Sequence, residues 1–293
     1  MQIRRLTSRL GAEIIGLELE APLDEACFNA LYATFLRHQV LVFNGQYVSP
    51  AVQVALARRF GEVQTHVMNQ YHADGYPELY LLSNLTPEGN PSGKHPDRGT
   101  LVWHTDGSWQ RRTALATFMF AVEIPKVGGE THFADMYSGY AGLPAEVRAR
   151  IDTLHVVHNL DFSRSRRHGE EPMSEAQRRA APPVSHPAVR RHPETQRKSL
   201  FLGDHAEHIV ELPYSQGRAL IEQLNADSIA CAAIYRHAWQ PNQLVIWDNR
   251  CLLHRATEYD TTRERRVIRR CTVLTPDAAS GTQTRPVSQQ QGR

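Results

Sequence analysis

LVWHTDGSW, residues 101–109, sets a histidine and an aspartate two apart inside a run of bulky and β-branched residues. Side chains at i and i+2 share one face only in an extended strand. The stretch therefore reads as a strand aiming His104 and Asp106 the same way, either at a metal or at solvent. Spacing alone does not choose, because 15 histidines generate such pairs readily. Six occur: His72/Asp74, His95/Asp97, His104/Asp106, His168/Glu170, His192/Glu194 and His205/Glu207. Proline divides the second and fifth, which lie in loop composition. His72-Ala-Asp74-Gly75 reads as a turn, and His168-Gly-Glu170 lies in a charged stretch. Only His104/Asp106 follows strand formers (Leu101, Val102, Trp103) and is closed by a glycine, Gly107; His205/Glu207 is the one rival kept.

A metal needs a third ligand. Two histidines and one carboxylate on one face of an ion, with other positions open, is the donor set of non-haem iron(II) oxygenases. His254, at the end of the apolar run in VIWDNRCLLHRAT, is the best candidate, although a lone histidine there is more often packed or superficial. Downstream, ERRVIRRCTV (264–273) is an apolar strand with four arginines. Arg266, Ile268, Arg270 and Thr272 share one face; Arg265, Val267, Arg269 and Cys271 share the other. Whichever face points inward carries buried arginine, and a buried guanidinium calls for an anion. A dicarboxylate is such an anion, but alternation does not say which face is inside.

The wider chain sets bounds. Its 293 residues, 41% of them hydrophobic, can bury a full core. Neither an apolar run of membrane-spanning length nor a signal-peptide pattern is found. Four scattered cysteines without a CxxC pair argue against a zinc-cysteine site and a disulfide scaffold, and for a reducing cytoplasm. A net charge of +2 predicts neither nucleic-acid nor membrane-surface binding.

Helices are expected over APLDEACFNALYATFLRHQ, over SPAVQVALARRFGEV with Ser49 near its cap and Gly61 near its end, from about Gly142 to Leu154, and from Tyr214 to about Asn225. Strands are expected in LGAEIIGLEL, VLVFNGQ, LATFMFAVEI, ETHFADM, SLFLG, NQLVIWDN, CLLHRAT and RRVIRRCTVL. Many short strands between Gly/Asn/Pro turns suggest a mainly β fold with added helices, a sandwich or jelly roll. No linker divides the chain, so residues 1–275 are read as one domain. Within it, 160–199 is a basic insert, read both as solvated surface and as a mobile lid attracting an anion. Residues 276–293 read as a disordered tail.

WHTD, PKVGGETHFADM, HPAVRRHPETQRKSLFLGDHAEHI, WDNRCLLHRAT and ERRVIRRCTV, in that order, resemble the taurine/phenoxyacetate dioxygenase family, iron(II) enzymes that use 2-oxoglutarate. The resemblance runs from about residue 5 to 275 and includes LGAEIIGLELEAPL and VLVFNGQ. HPAVRRHPETQRKSLFLGDHAEHIVELP and WDNRCLLHRATEYD look most like the aryloxyacetate branch. The resemblance implies a double-stranded β-helix (jelly roll) and assigns His104, Asp106 and His254 to iron. It gives Arg266 and Thr131 to 2-oxoglutarate, and so turns Arg266, Ile268 and Arg270 inward. Arg270 would meet the substrate's anion, with Tyr71, Met68 and Trp109 beside the substrate. One departure stands out: where the family carries a second basic residue after the GEV turn, QTHVMNQYH offers Met68 between His66 and Tyr71.

The implied activity is hydroxylation of a small organic acid by O2 at a carbon next to a heteroatom, on an aryloxyalkanoate-like substrate. An alkyl sulfonate, sulfate ester or amino-acid derivative is the alternative. A homo-oligomer, dimer or tetramer, is the family expectation. Two further classes stay open: a zinc hydrolase using the same three ligands, and a non-catalytic jelly-roll binding protein.

Overall fold

The unbroken apolar runs become the centre of one sheet. The computed structural model describes residues 1–66, 69–166 and 172–277. Its largest sheet has eight strands, in the order Gln2–Arg5, Ala12–Ile15, Val40–Phe43, Leu244–Asp248, Ala114–Glu123, Val267–Leu274, Tyr76–Ser83 and His72–Ala73. Ile234–His237, Thr131–Asp135 and Leu252–Ala256 form a second, three-stranded sheet.

Both faces of the large sheet's centre are buried. Leu41, Phe43, Phe118, Phe120 and Ile246 pack outward against Phe28, Phe35 and Phe60 of helices Glu25–His38 and Pro50–Phe60. Val40, Val42, Met119, Val245, Trp247 and Ile268 pack inward with Phe133 and Leu252 of the small sheet. Burial of both faces removes the polar alternation of a one-sided sheet, which is why VLVF and LVIWD read as continuous. Phe118 meets Phe60 edge to face at 5.0 Å, and truncating it to alanine would cost about 3–5 kcal/mol. Both covering helices start on side-chain caps, Asp24 to the Cys27 N–H and Ser49 to the Val52 N–H. The result is a jelly roll with added helices.

Four differences from the sequence reading have physical causes. LVWHTDGSW is not a strand. A 3-10 turn, Arg98–Leu101, capped by Asp97, leads to one bridge between His104 and His254 and then to a turn. The expected helix from about Gly142 to Leu154 is the shorter Ala145–Ile151, and a separate helix, Met136–Ala141, precedes it, because Pro144 cannot continue a helix but can start one. The Tyr214 helix runs on to Cys231, burying Ile221, Leu224 and Ser228 at helical spacing. Tyr76–Ser83, where no strand was expected, is an eight-residue strand beside Val267–Leu274.

In the basic stretch, Leu160–Ser165 and Glu175–Ala180 are helical, and Val184–Pro187, Val189–Arg191 and Lys198–Leu200 are strands. Residues 278–293 of the expected tail lie outside the described residues. No helix among the described residues is long and apolar enough to cross a membrane.

Candidate metal and cosubstrate site

The bridge replaces the expected strand as the device that gathers the ligands. The His104 N–H donates to the His254 carbonyl at 3.0 Å, and the His254 N–H returns the bond at 2.8 Å. This sets the imidazoles 4.1 Å apart between centroids. Asp106 follows on the turn. Gly107, at φ +63°, redirects the chain there, and a Cβ on it would lie 3.0 Å from the Ala114 nitrogen. One ligand atom from each of His104, Asp106 and His254 lies within 4.8 Å of the others, and all three residues are buried.

The donor chemistry fits a metal. His104 donates from Nδ1 to the Val102 carbonyl at 2.8 Å, which leaves Nε2 as the lone-pair nitrogen. Among the described residues neither nitrogen of buried His254 has a hydrogen-bond partner, a costly state unless a ligand takes up the lone pair. Burial, then the neighbouring His104, holds its pKa well below 6.5, so the ring is neutral, as a metal ligand must be. Burial pushes the Asp106 carboxyl up. Arg270, the two imidazoles and the Thr117 hydroxyl more than offset this and hold it below the usual carboxylate range.

Two cavities meet at these ligands. The smaller is lined by His104, His254, Thr131, Met119, Arg266 and Arg270 among others. Arg266 is 3% exposed; among the described residues its Nε has no hydrogen-bond partner and no carboxylate pairs with it. Burial lowers its pKa to about 10. Thr131 Oγ1 accepts from Trp239 Nε1 at 2.9 Å, leaving its own proton for another acceptor. A buried guanidinium beside a hydroxyl proton is a donor pair chemically suited to a carboxylate. Arg266, Ile268 and Arg270 are all buried. Arg269, on the other face, is buried too, bonded to Gln53 Oε1 and the Val48 carbonyl. The two-faced burial of this sheet accommodates arginines on both sides.

The second cavity is lined by the aromatic rings of His66, Tyr80 and Trp109, by Leu160, Arg164 and His205, and by Arg270, which it shares with the first. His66 meets Tyr80 at 5.0 Å and Trp109 at 6.1 Å, both edge to face. Arg270 lies 3.3 Å from Asp106 Oδ1 and over the Tyr80 ring at 4.9 Å. Trp109 is both wall and core, packing with Leu160 and Met173. Tyr71 lies one layer out: it packs on Tyr80 at 5.1 Å and lines an outer cavity with His95 and Tyr259. Met68 lies outside the described residues.

The competing triplets are spent elsewhere. In both His-Pro-acid triplets the histidine Nδ1 accepts the backbone N–H two residues on, at 3.2 Å each, so these are turns. His72 Nε2 donates to the His66 carbonyl. His205 Nδ1 meets Ser163 Oγ at 2.8 Å while Glu207 accepts from Asn159. His168 lies outside the described residues. The sequence reading missed Tyr80, Leu160 and Thr100 as cavity residues. Tyr80 was recoverable only with its strand, and Leu160 through its helix cap, Asn159. The arginines of the basic stretch were suspected as a group, and among the described residues Arg164 lines the cavity.

The comparisons with known proteins agree with this geometry. The family model described as "Taurine catabolism dioxygenase TauD, TfdA family" matches residues 2–272. The chain is 38% identical over 243 residues to the alpha-ketoglutarate-dependent 2,4-dichlorophenoxyacetate dioxygenase of Cupriavidus pinatubonensis, covering 80% of this chain and 84% of that one. It is 34% identical over 275 residues to the (S)-phenoxypropionate/alpha-ketoglutarate-dioxygenase of Sphingobium herbicidovorans, covering 90% and 91%. Among solved structures, AAD-2 in complex with Mn(II) and N-oxalylglycine superposes with a TM-score of 0.80 at 30% identity, covering 94% of this chain and 98% of that one. The chain belongs to the TauD/TfdA family of iron(II)- and 2-oxoglutarate-dependent dioxygenases.

Proposed function

We propose that His104, Asp106 and His254 hold the iron, that Arg266 and Thr131 grip 2-oxoglutarate, and that the substrate is an aryloxyalkanoate. The observation that supports this most is the junction of two unlike cavities at one ligand set: one ends on an unpaired buried arginine, the other is walled by three aromatic rings. Bound iron and 2-oxoglutarate supply the oxidation, in which O2 is consumed, the cosubstrate becomes succinate and CO2, and one oxygen atom reaches a substrate carbon.

The chain's own residues bind and orient. Arg266 and the Thr131 hydroxyl take the cosubstrate's distal carboxylate in the smaller cavity. Arg270, on the wall common to both, takes the substrate's carboxylate, which leaves the aryl ring against His66, Tyr80 and Trp109 and turns the ether-bearing carbon toward the ligands. Leu160 and Arg164 line the same cavity, and helix Leu160–Ser165 is read as its movable wall within one domain spanning 1–275. A zinc hydrolase or a simple binding protein has no use for Arg266 and Thr131 beside the ligand set. The reading includes a cytoplasmic location, in keeping with four unpaired cysteines, and a homo-oligomer, which light scattering would size.

The test is succinate release with iron(II) and 2-oxoglutarate across aryloxyalkanoates, alkyl sulfonates, sulfate esters and N-substituted amino acids. Hydroxylation beside the ether oxygen gives a hemiacetal that releases a phenol, so phenol should appear one for one with succinate. Succinate release driven only by sulfonates or amino acids would overturn the substrate assignment.

A further inference from the structure

Asp106 is held by a polar chain that reaches neither cavity. The Thr117 hydroxyl lies 2.6 Å from Asp106 Oδ2. Asn249 Nδ2 lies 2.9 Å from Thr117 Oγ1. Asn249 Oδ1 lies 3.0 Å from Trp247 Nε1 and 3.3 Å from the Asp106 backbone nitrogen. Thr117, Trp247 and Asn249 are all essentially inaccessible to water. Thr117 and Trp247 are direct partners on neighbouring antiparallel strands, Ala114–Glu123 and Leu244–Asp248, and Asn249 follows in the turn.

The proton directions follow without seeing a hydrogen. An indole N–H and a backbone N–H only donate, so both require the carboxamide oxygen of Asn249 and fix its flip. The amide nitrogen must then face Thr117 and donate to it. The hydroxyl, already accepting, must spend its own proton on Asp106. Thr105 fastens the same turn from the other side, its hydroxyl donating to the Asn249 carbonyl at 2.8 Å.

We infer that Thr117 and Asn249 are positioning residues: they fix the plane of the Asp106 carboxylate, and through it the metal affinity of a site neither of them touches. The inference rests on Asp106 being a metal ligand. Hydrogen-bond partners of metal ligands typically govern affinity over about 10- to 100-fold, and this carboxylate sits on a turn, where the short Thr117 bond on Oδ2 and the longer Arg270 bond on Oδ1, 3.3 Å, orient it.

The test is Co(II) titration of the metal-free protein, read by its visible ligand-field absorption, with the unfolding midpoint of each metal-free form beside it. Thr117→Val keeps the shape and removes the proton; Co(II) affinity should fall about 10- to 100-fold and the band should move. Thr117→Ser, which keeps the hydroxyl, should recover most of that affinity. Asn249→Asp separates orientation from charge. An added carboxylate near a cation tightens binding if only charge matters. The polar chain predicts weaker binding, because the substituted carboxylate has no donor and draws the Thr117 proton away from Asp106. It also carries the test should the valine variant not fold.

Wild-type affinity in Thr117→Val, equal losses in the valine and serine variants, or tighter binding in Asn249→Asp each overturns the inference while the wild type still binds Co(II). Failure of the wild type to bind Co(II) overturns the metal site itself, and the inference with it.

Discussion

The carboxylates of Asp106 and Asp248 are both buried, both beside an arginine, and both held below the usual carboxylate range although burial pushes each of them up. Their surroundings differ. Asp248 receives Arg250 Nε and Nη2 at 2.8 Å each, the Arg250 backbone N–H at 3.0 Å and His192 Nε2 at 3.1 Å. Arg250 Nη1 goes on to Glu194 at 2.9 Å, and Glu194 accepts the Tyr32 hydroxyl at 2.7 Å. That cluster joins helix Glu25–His38, the loop before Lys198 and the turn after Leu244–Asp248, with its charges answered inside the protein.

Around Asp106 the imidazole nitrogens stand 3.8 and 3.9 Å away, and among the described residues neither His254 nitrogen nor Arg266 Nε has a hydrogen-bond partner. A displaced pKa is common to the two clusters and so does not mark function. Unanswered buried polar atoms converging on one point do.

The largest separation should come from removing one member of each. His254→Ala should take succinate release to background and leave the urea midpoint of the metal-free protein unchanged or raised, since a buried polar ring without partners is lost. Asp248→Ala takes the acceptor from Arg250 Nε and Nη2 and from His192 Nε2, leaves the Arg250 guanidinium with Glu194, and should lower the unfolding free energy by about 3 kcal/mol. If the two substitutions cost the metal-free fold equally, the distinction disappears.

Next comes Arg266→Ala. Leaving a bound carboxylate unpaired in a dry cavity should weaken 2-oxoglutarate by about 2–5 kcal/mol, roughly 30- to several-thousand-fold. Titration of the iron-loaded protein, followed by its visible absorption with cosubstrate, measures this. An unchanged affinity removes Arg266 from the site. Within the self-satisfied cluster, Tyr32→Phe withdraws one donor from Glu194 and should cost about 1.5–3 kcal/mol of stability, read by urea unfolding, with succinate release per folded molecule unmoved.

The contrast also explains what could be read in advance. That His104, Asp106 and His254 cluster, with Arg266 and Thr131 lining a cavity beside them, was legible because each lies in a short ordered motif, and the sheet's centre because two-sided burial leaves unbroken apolar runs. The conformation of 101–109 was not legible. Strand formers there met a capping Asp97 and a left-handed Gly107, and tertiary pairing of His104 with His254 decided the outcome. Tyr76–Ser83 escaped because YPELYLLS has proline and glutamate at its second and third positions, tolerable near the sheet's margin, where among the described residues its other neighbour is the two-residue strand His72–Ala73. The Thr117–Asn249 pairing depends on which residue of one strand faces which of another. Register is a property of the folded sheet, not of either segment.

A third buried imidazole isolates the effect of burial from that of a site. His237 is 3% exposed and lines neither cavity; its ring meets the Tyr235 hydroxyl at 2.9 Å. Burial lowers its pKa to about 4, with Gln243 and Glu130 opposing. The unfolded chain takes up a proton near pH 6.5, whereas the folded chain declines it until about pH 4. Its contribution is therefore complete above pH 6.5 and drains away as pH falls toward 4. Each such imidazole adds about 1.4 kcal/mol per pH unit to the slope of stability within that window. His66, His95 and His186, also lowered chiefly by burial, contribute in the same direction. Replacing His237 with Gln should flatten the slope of metal-free unfolding free energy against pH by about one proton's worth, while Co(II) affinity at pH 7 stays where it was. A slope that does not change would mean the ring is already protonated in the fold, and burial would then not suffice to keep an imidazole neutral here, His254 included.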